Sequence, residues 1–275
     1  MDGAELPYAL LTGANFAGAR LDKADLTGGV QAQAANFLVA SLQGADLTGA
    51  QLQGTDFSSA TLQGAILAHA HLQGSILRDA ELEGADLSLA RLQAADLTGA
   101  RIRAVDLRGA VVWMTQSPAQ DAMALSDFAD LSVRPLEGGE SAALQLAIDR
   151  VPDGPQRNQL RAALAGVSQA PSGRGWAGSA EQLRWDSMVK ASAAAIGEGY
   201  KGQLTDHLVR LACRARFNTG GVVTGISRRA QTPQFRGDML AINDRVRSAD
   251  CPAGQRIVPR VLRELGLAAD GVRSN

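Results

Sequence analysis

Cysteine, histidine and aromatic side chains are scarce in this 275-residue chain: two Cys, three His and 4% aromatic. Two cysteines exclude a disulfide-built scaffold. Three histidines fall short of a metal centre, which needs three or four converging ligands; His69 and His71, two apart, read as surface histidines. No apolar run approaches the roughly 18 residues of a membrane-crossing helix. The N-terminus has no basic start followed by an apolar stretch, so no export signal is expected. A net charge of −1 gives no bulk pull toward nucleic acid or membrane. Phosphate-loop, dinucleotide and nucleophile-elbow signatures are missing, and "NTGGVVTG" at 218–225 has glycines but no lysine. A non-enzyme without cofactor or metal is the expectation.

What is there is a beat of five. Leu or Phe recurs at Leu6, Leu11, Phe16, Leu21 and Leu26, then from Phe37 every fifth residue to Leu107, with Ile at 102 and Val112 last. Of these 21 positions, 18 have Ala two residues earlier; Thr55, Ser75 and Val105 are the exceptions. Five fits neither a helix nor a strand, but it suits a chain that turns a corner every five residues and sends small and large side chains into one axis. Gly ends many repeats (Gly44, Gly64 and Gly84 among them), as corners with unusual backbone angles require. Phe16, Phe37, Phe57, Leu67, Leu77, Leu87 and Leu97 are core candidates.

The units "ADLTG" at 45–49 and 95–99 and "ANFAG" at 14–18 resemble the bacterial pentapeptide-repeat family. The resemblance covers about the first 40% of the chain. It implies a right-handed quadrilateral parallel β-helix with four repeats per coil, so that residues twenty apart stack. The register break between Leu26 and Phe37 then reads as one extra residue, a bulge at 29–34, with Phe16 over Phe37 and Phe37 over Phe57. About 5.5 coils at roughly 4.8 Å make a rod about 26 Å long.

The beat stops at Val112, which sets the expected division: a β-helix over 1–112 and an all-α C-terminal domain over 113–275. Trp113 and Met114 are expected to cover the last coil. Helices are expected over 119–131, 141–151, from Pro155 to about Val167, from a Ser179/Gln182 capping box to about Ile196, and over 201–216. "NTGG" at 218–221 reads as a break. Thr232 and Pro233 open a helix carrying Phe235, Met239, Ile242 and Val246. A last helix spans 257–265 and the tail frays; 168–179 reads as a loop.

Residues 1–112 carry a net charge of −5 and residues 113–275 a net +4. Asp46, Asp86 and Asp106 fall on one face of the rod, and Asp56 and Asp96 on the opposite one. Arg228, Arg229 and Arg236 cluster near a Gly-rich turn. These eight residues are the candidate partner surface, set against the plainer reading that the aspartates satisfy corner backbone and the arginines meet solvent or the acidic rod. Cys213 and Cys251 admit three readings: two buried thiols, a disulfide joining two helices, or a redox pair. In a chain without an export signal the thiols come first.

The expected function is a non-catalytic scaffold or protein–protein interaction module in the bacterial cytoplasm. Its partner is a protein of unknown identity, and a dimer through the first coil is the other assembly considered. Some members of the resembled family are acidic rods that mimic DNA and bind gyrase, giving quinolone resistance, so gyrase is the alternative partner. A second alternative is the soluble part of a membrane-associated system.

Overall fold

The computed structural model describes residues 1–119, 124–165, 167, 178–197, 199–214, 221–230, 235–248 and 251. Residues preceding each central Leu or Phe pair in parallel with their counterparts one coil on, as in Asn15–Asn36–Asp56–Ile76–Asp96–Gln116. Four such columns run side by side and make a four-sided solenoid. Leu42, Leu47, Leu52, Leu62, Leu67 and Leu72, with their alanines, fill the axis at 0% exposure. Phe16, Phe37 and Phe57 stack with centroids 5.0 and 5.1 Å apart. The extra residue falls between Asp25 and Gln31, because pairing steps from 20 to 21 residues there (Glu5–Asp25, then Leu10–Gln31). It thus lies at Thr27–Gly29, where Gly28 and Gly29 both take positive φ, slightly ahead of the expected 29–34.

The coil does not stop at Val112. Asp106 pairs with Asp127, and β1 (Val111–Val112) pairs in parallel with β2 (Ser132–Val133). The helix expected over 119–131 is therefore corrected: its described part is another turn of the solenoid, with Phe128 fully buried. Asp127 and Phe128 there take the outward and central positions of a repeat, concealed because Ser117, which follows the paired Gln116, holds a central position where Leu or Phe is expected.

Six helices follow among the described residues: α1 (Gly138–Arg150), α2 (Pro155–Ala163), α3 (Ala180–Ala195), α4 (Tyr200–Ala212), α5 (Gly221–Arg229) and α6 (Met239–Arg247). Ser179 caps α3 by accepting from the Gln182 amide, and the Gln182 side chain answers at Gly178 N–H. α5 starts at Gly221, the last residue of the expected break, whose residues 218–220 lie outside the described ones. α6 begins later than expected because Asp238, not Thr232, is its cap, accepting from Ala241 N at 3.0 Å. Thr232 and Pro233, most of the 168–179 loop, the 257–265 helix and the tail lie outside the described residues.

Every repeat turns with a residue at positive φ, so the rod has four corner columns. Helices grip two opposite ones. α4 and α5 lie on the Gly44–Gly64–Gly84–Ala104 column, and α2 lies on the Ala34–Gly54–Gly74–Ala94 column. α3 closes the end of the rod: Trp185 donates to Thr115 O at 2.9 Å and meets Phe128 edge-on, with Met188 in the same core. This corrects the expectation for Trp113 and Met114, which pack sideways with α1 and α2. The axis needs a cap that reaches across it, and a residue still in the coil points along its wall.

Candidate interaction surfaces

The closest approach of helix and rod is made backbone to backbone. A Cβ built on Gly225 of α5 would lie 1.8 Å from Gly64 O, and one built on Gly44 would lie 1.8 Å from Gly221 O. Gly221 and Gly225, four apart, form the bare stripe that makes this possible. Val222, Val223 and Ile226 flank it at 0% exposure. Gly–x–x–x–Gly beside β-branched residues was the sequence signal for this helix; read as loop glycines, it was missed.

The expected partner surface is largely turned inward. Arg229, 2% exposed, donates to Gly84 O at 3.0 Å and to Ala104 O, and its Nη2 lies 4.0 Å from Asp106. Arg236 pairs with Asp127 at 2.9 Å, and Arg108 pairs with Asp106. Burial pushes the Asp106 carboxyl up, but the Arg108 hydrogen bond and the Arg229 charge outweigh it and hold it below the usual range. At Asp127 burial prevails over its Ala129 amide bond, and the carboxyl sits above the usual range. Arg228 is half-buried on α5.

The other aspartates serve the corners. Asp46 accepts from Thr48 N and Oγ1, Asp56 from Ser58 N and Oγ, Asp86 from Ser88 N, and Asp96 from Thr98 N and Arg78 Nε. Each is an Asx-type turn that satisfies backbone at a corner. Asp86 is 2% exposed, so the acidic row is broken by burial there as well as by Ile66.

Cys213 and Cys251 are joined in a disulfide with Cα atoms 4.9 Å apart, linking the end of α4 to the segment beyond α6. The thiol-first reading failed because nothing in the spacing of 38 revealed that α5 and α6 fold back between them. His69 is exposed at a corner, and His71 is half-buried. Burial, then the Arg91 charge, lowers the His71 pKa to about 4 against the opposing pull of Glu140. Among the described residues no three His, Cys, Asp or Glu gather as metal ligands do, and no helix is long and apolar enough to cross a membrane.

Among the described residues no helix covers two corner columns: Gly18–Val39–Ser59–Asp79–Gly99, with Leu38 and Val39 exposed, and Gly49–His69–Leu89–Gly109, with Leu89 exposed. At the first coil Tyr8 and Leu10 are exposed, at 74% and 76%.

A four-sided coil of five-residue repeats defines a class, and the family comparison agrees. Pentapeptide repeats match in eight copies, over residues 1–30, 40–79, 55–93 and 75–112. This region belongs to the pentapeptide-repeat family, whose coil is a right-handed β-helix, and the chain continues into a mostly helical C-terminal region. Among solved structures, the chain is similar to the pentapeptide repeat protein Rfr23 of the cyanobacterium Cyanothece 51142 (35% identity over 34% of this chain and 59% of that one, TM-score 0.29). It is also similar to HetL of Nostoc sp. strain PCC 7120, a protein involved in heterocyst differentiation regulation (27% identity, 48% of this chain and 62% of that one, TM-score 0.31). This chain thus spans about three fifths of the length of each. QnrB1, a plasmid-mediated fluoroquinolone resistance protein, aligns at 19% identity over 56% of this chain and 91% of its own, TM-score 0.29. No curated protein sequence matches.

Proposed function

We propose that this chain is a non-catalytic interaction scaffold in which the rod is a rigid frame and the helical region caps it and carries the site for a protein partner. One observation supports this above others. The helices are committed to the rod at its end and at two opposite corners, so frame and helices form one shape whose seams face outward. The setting we favour is the bacterial cytoplasm, with membrane contact only through a partner or a further segment. A dimer through the first coil is a subordinate reading, resting on exposed Tyr8 and Leu10.

DNA mimicry against gyrase is the weaker reading. Mimicry needs an outward row of unneutralised acids, whereas Asp96, Asp106 and Asp127 are paired with Arg78, Arg108 and Arg236. Excess protein is expected to leave gyrase supercoiling unchanged; inhibition would restore the mimic. The scaffold reading is tested by affinity capture from detergent-solubilised bacterial lysate with the full chain. Retention of one specific partner is expected. Failure to retain any protein, or an enzymatic turnover abolished by a single substitution, would overturn it.

A further inference from the structure

With Arg229 and Arg236 turned onto the rod's own acids, the arginines left outside gather elsewhere. Arg101 and Arg103 are exposed two residues apart, and Arg103 stands one coil beyond Glu83 in the column Gln43, Gln63, Glu83, Arg103. α4 crosses this column, pressing Leu208 and Leu211 onto Gly84. His207, Arg210 and Arg214 follow at i, i+3 and i+7 along one side of α4 and its end. Arg214 reaches Glu83 at 3.8 Å, and Arg101 reaches Glu81 at 3.3 Å. Arg103 and Arg210 are exposed and make no hydrogen bond or ion pair with the described residues. Four guanidinium groups therefore stand with three carboxylates among the described residues, Glu81, Glu83 and Asp206, and Asp206 is itself taken by Arg245 at 2.6 Å. Below them His207 is 5% exposed, with Nε2 lacking a hydrogen-bond partner among the described residues. Burial lowers its pKa to about 4, and the charges of Arg103, Arg214 and Arg210 add to the effect, so all three arginines are electrostatically felt at one point.

We propose that Arg101, Arg103, Arg210 and Arg214 form a docking surface for an acidic segment of a partner protein. This rests on the scaffold reading and gives its site a chemistry. Gathered guanidiniums repel one another, and a carboxylate-rich segment removes that repulsion while each planar fork can take two carboxylate oxygens. Protein is favoured over nucleic acid for two reasons. Among the described residues no aromatic platform faces the patch: Tyr200 is bonded to Leu125 O, and Phe235 lies against Arg229. The patch also spans only about two helical turns by two coils, roughly 10 Å each way, which suits a few acidic residues better than a duplex.

The test is fluorescence anisotropy on the full chain, with a labelled peptide of eight consecutive glutamates and a 12-base-pair duplex as probes. The peptide is expected to bind saturably at about 50 mM salt and about tenfold more weakly at about 200 mM. Arg103→Gln with Arg210→Gln should lower peptide affinity about tenfold. Arg184→Gln, on α3 and 69% exposed, should not. Circular dichroism checks that the variants fold; should the pair not fold, Arg103→Gln alone should weaken binding about threefold. No saturable binding, an equal loss in the Arg184 variant, or tighter binding of the duplex would overturn the proposal. A lysate partner still held by the double variant would remove this patch and leave the scaffold reading standing.

Discussion

The two gripped corners are held in different ways. At the Gly44 column, helix backbone rests on rod backbone, Arg229 is bonded to two corner carbonyls, and a disulfide closes the loop that contains α5 and α6. At the Gly54 column, the contact is made by leucine tips: Cβ atoms built on Gly54 and Gly74 would meet Leu160 Cδ1 at 2.7 and 3.2 Å. Beneath α1 and α2 runs a stack of Gln33, Gln53, Gln73 and Gln93, all at most 1% exposed, with one or both amide atoms of each lacking a partner among the described residues. Buried amides without partners carry a penalty of about 1–3 kcal/mol each. The same five-residue corner thus supports a rigid joint where glycine meets glycine and a softer one where glycine meets leucine; buried polar atoms without partners among the described residues lie at both, Gln63, Thr224 and Ser227 among them at the first.

Destroying the shared frame should have the largest effect. Leu67→Arg puts a charge on the rod axis and should cost more than about 4 kcal/mol, seen in calorimetry as loss of the cooperative transition. Next comes the rigid joint. In an exposed helix Gly→Ala gains about 1 kcal/mol, but Gly225→Ala should lose about 2–4 kcal/mol by chemical denaturation, because its Cβ meets a carbonyl that cannot yield. Acid should weaken both joints through His207 on α4 and His71 beside Arg91. Each has a folded-state pKa of about 4, below the ordinary 6.5, so the unfolded chain binds more protons between those values. Stability should be level above about pH 6.5 and fall as pH drops toward 4, and His207→Gln should flatten part of that slope in pH-dependent melting. The softer joint gives a smaller effect: Gly74→Ala should cost about 1–2 kcal/mol, chiefly through its positive φ, since the leucine tips can move. Smallest is a change at an open corner. Val39 is β-branched at φ 57 and 61% exposed, so Val39→Gly should raise stability by about 1 kcal/mol, read as a higher Tm.

The rod was legible because its period is carried by side chains that have no other place to go. Phe16, Phe37 and Phe57 declared the register across the bulge, and Ala before Leu declared the axis. Leu67, Leu77, Leu87 and Leu97 lie where the beat puts them, each at most 1% exposed. The last turn was not legible: Asp127 stands 21 residues from Asp106, the same step as from Phe16 to Phe37, but Ser117 takes the central position between and interrupts the Leu and Phe beat. For the arginines, contact with the acidic rod was legible but the particular partners were not. Arg229 and Arg236 belong to a helix end and a loop, and only the docking of α5 brings them to Asp106 and Asp127. The aspartates were half legible: their turn-satisfying role follows from Asp two residues before a Thr or Ser, whereas the burial of Asp86 depends on what folds over it.

Hydrogen–deuterium exchange on the native full chain compares the two joints in one experiment. Amides of α5, from Val223 to Arg229, should exchange nearly as slowly as those of the central coils, while amides of α2, from Asn158 to Ala163, should exchange markedly faster. Equal protection of the two helices, or slower exchange in α2, would contradict this order.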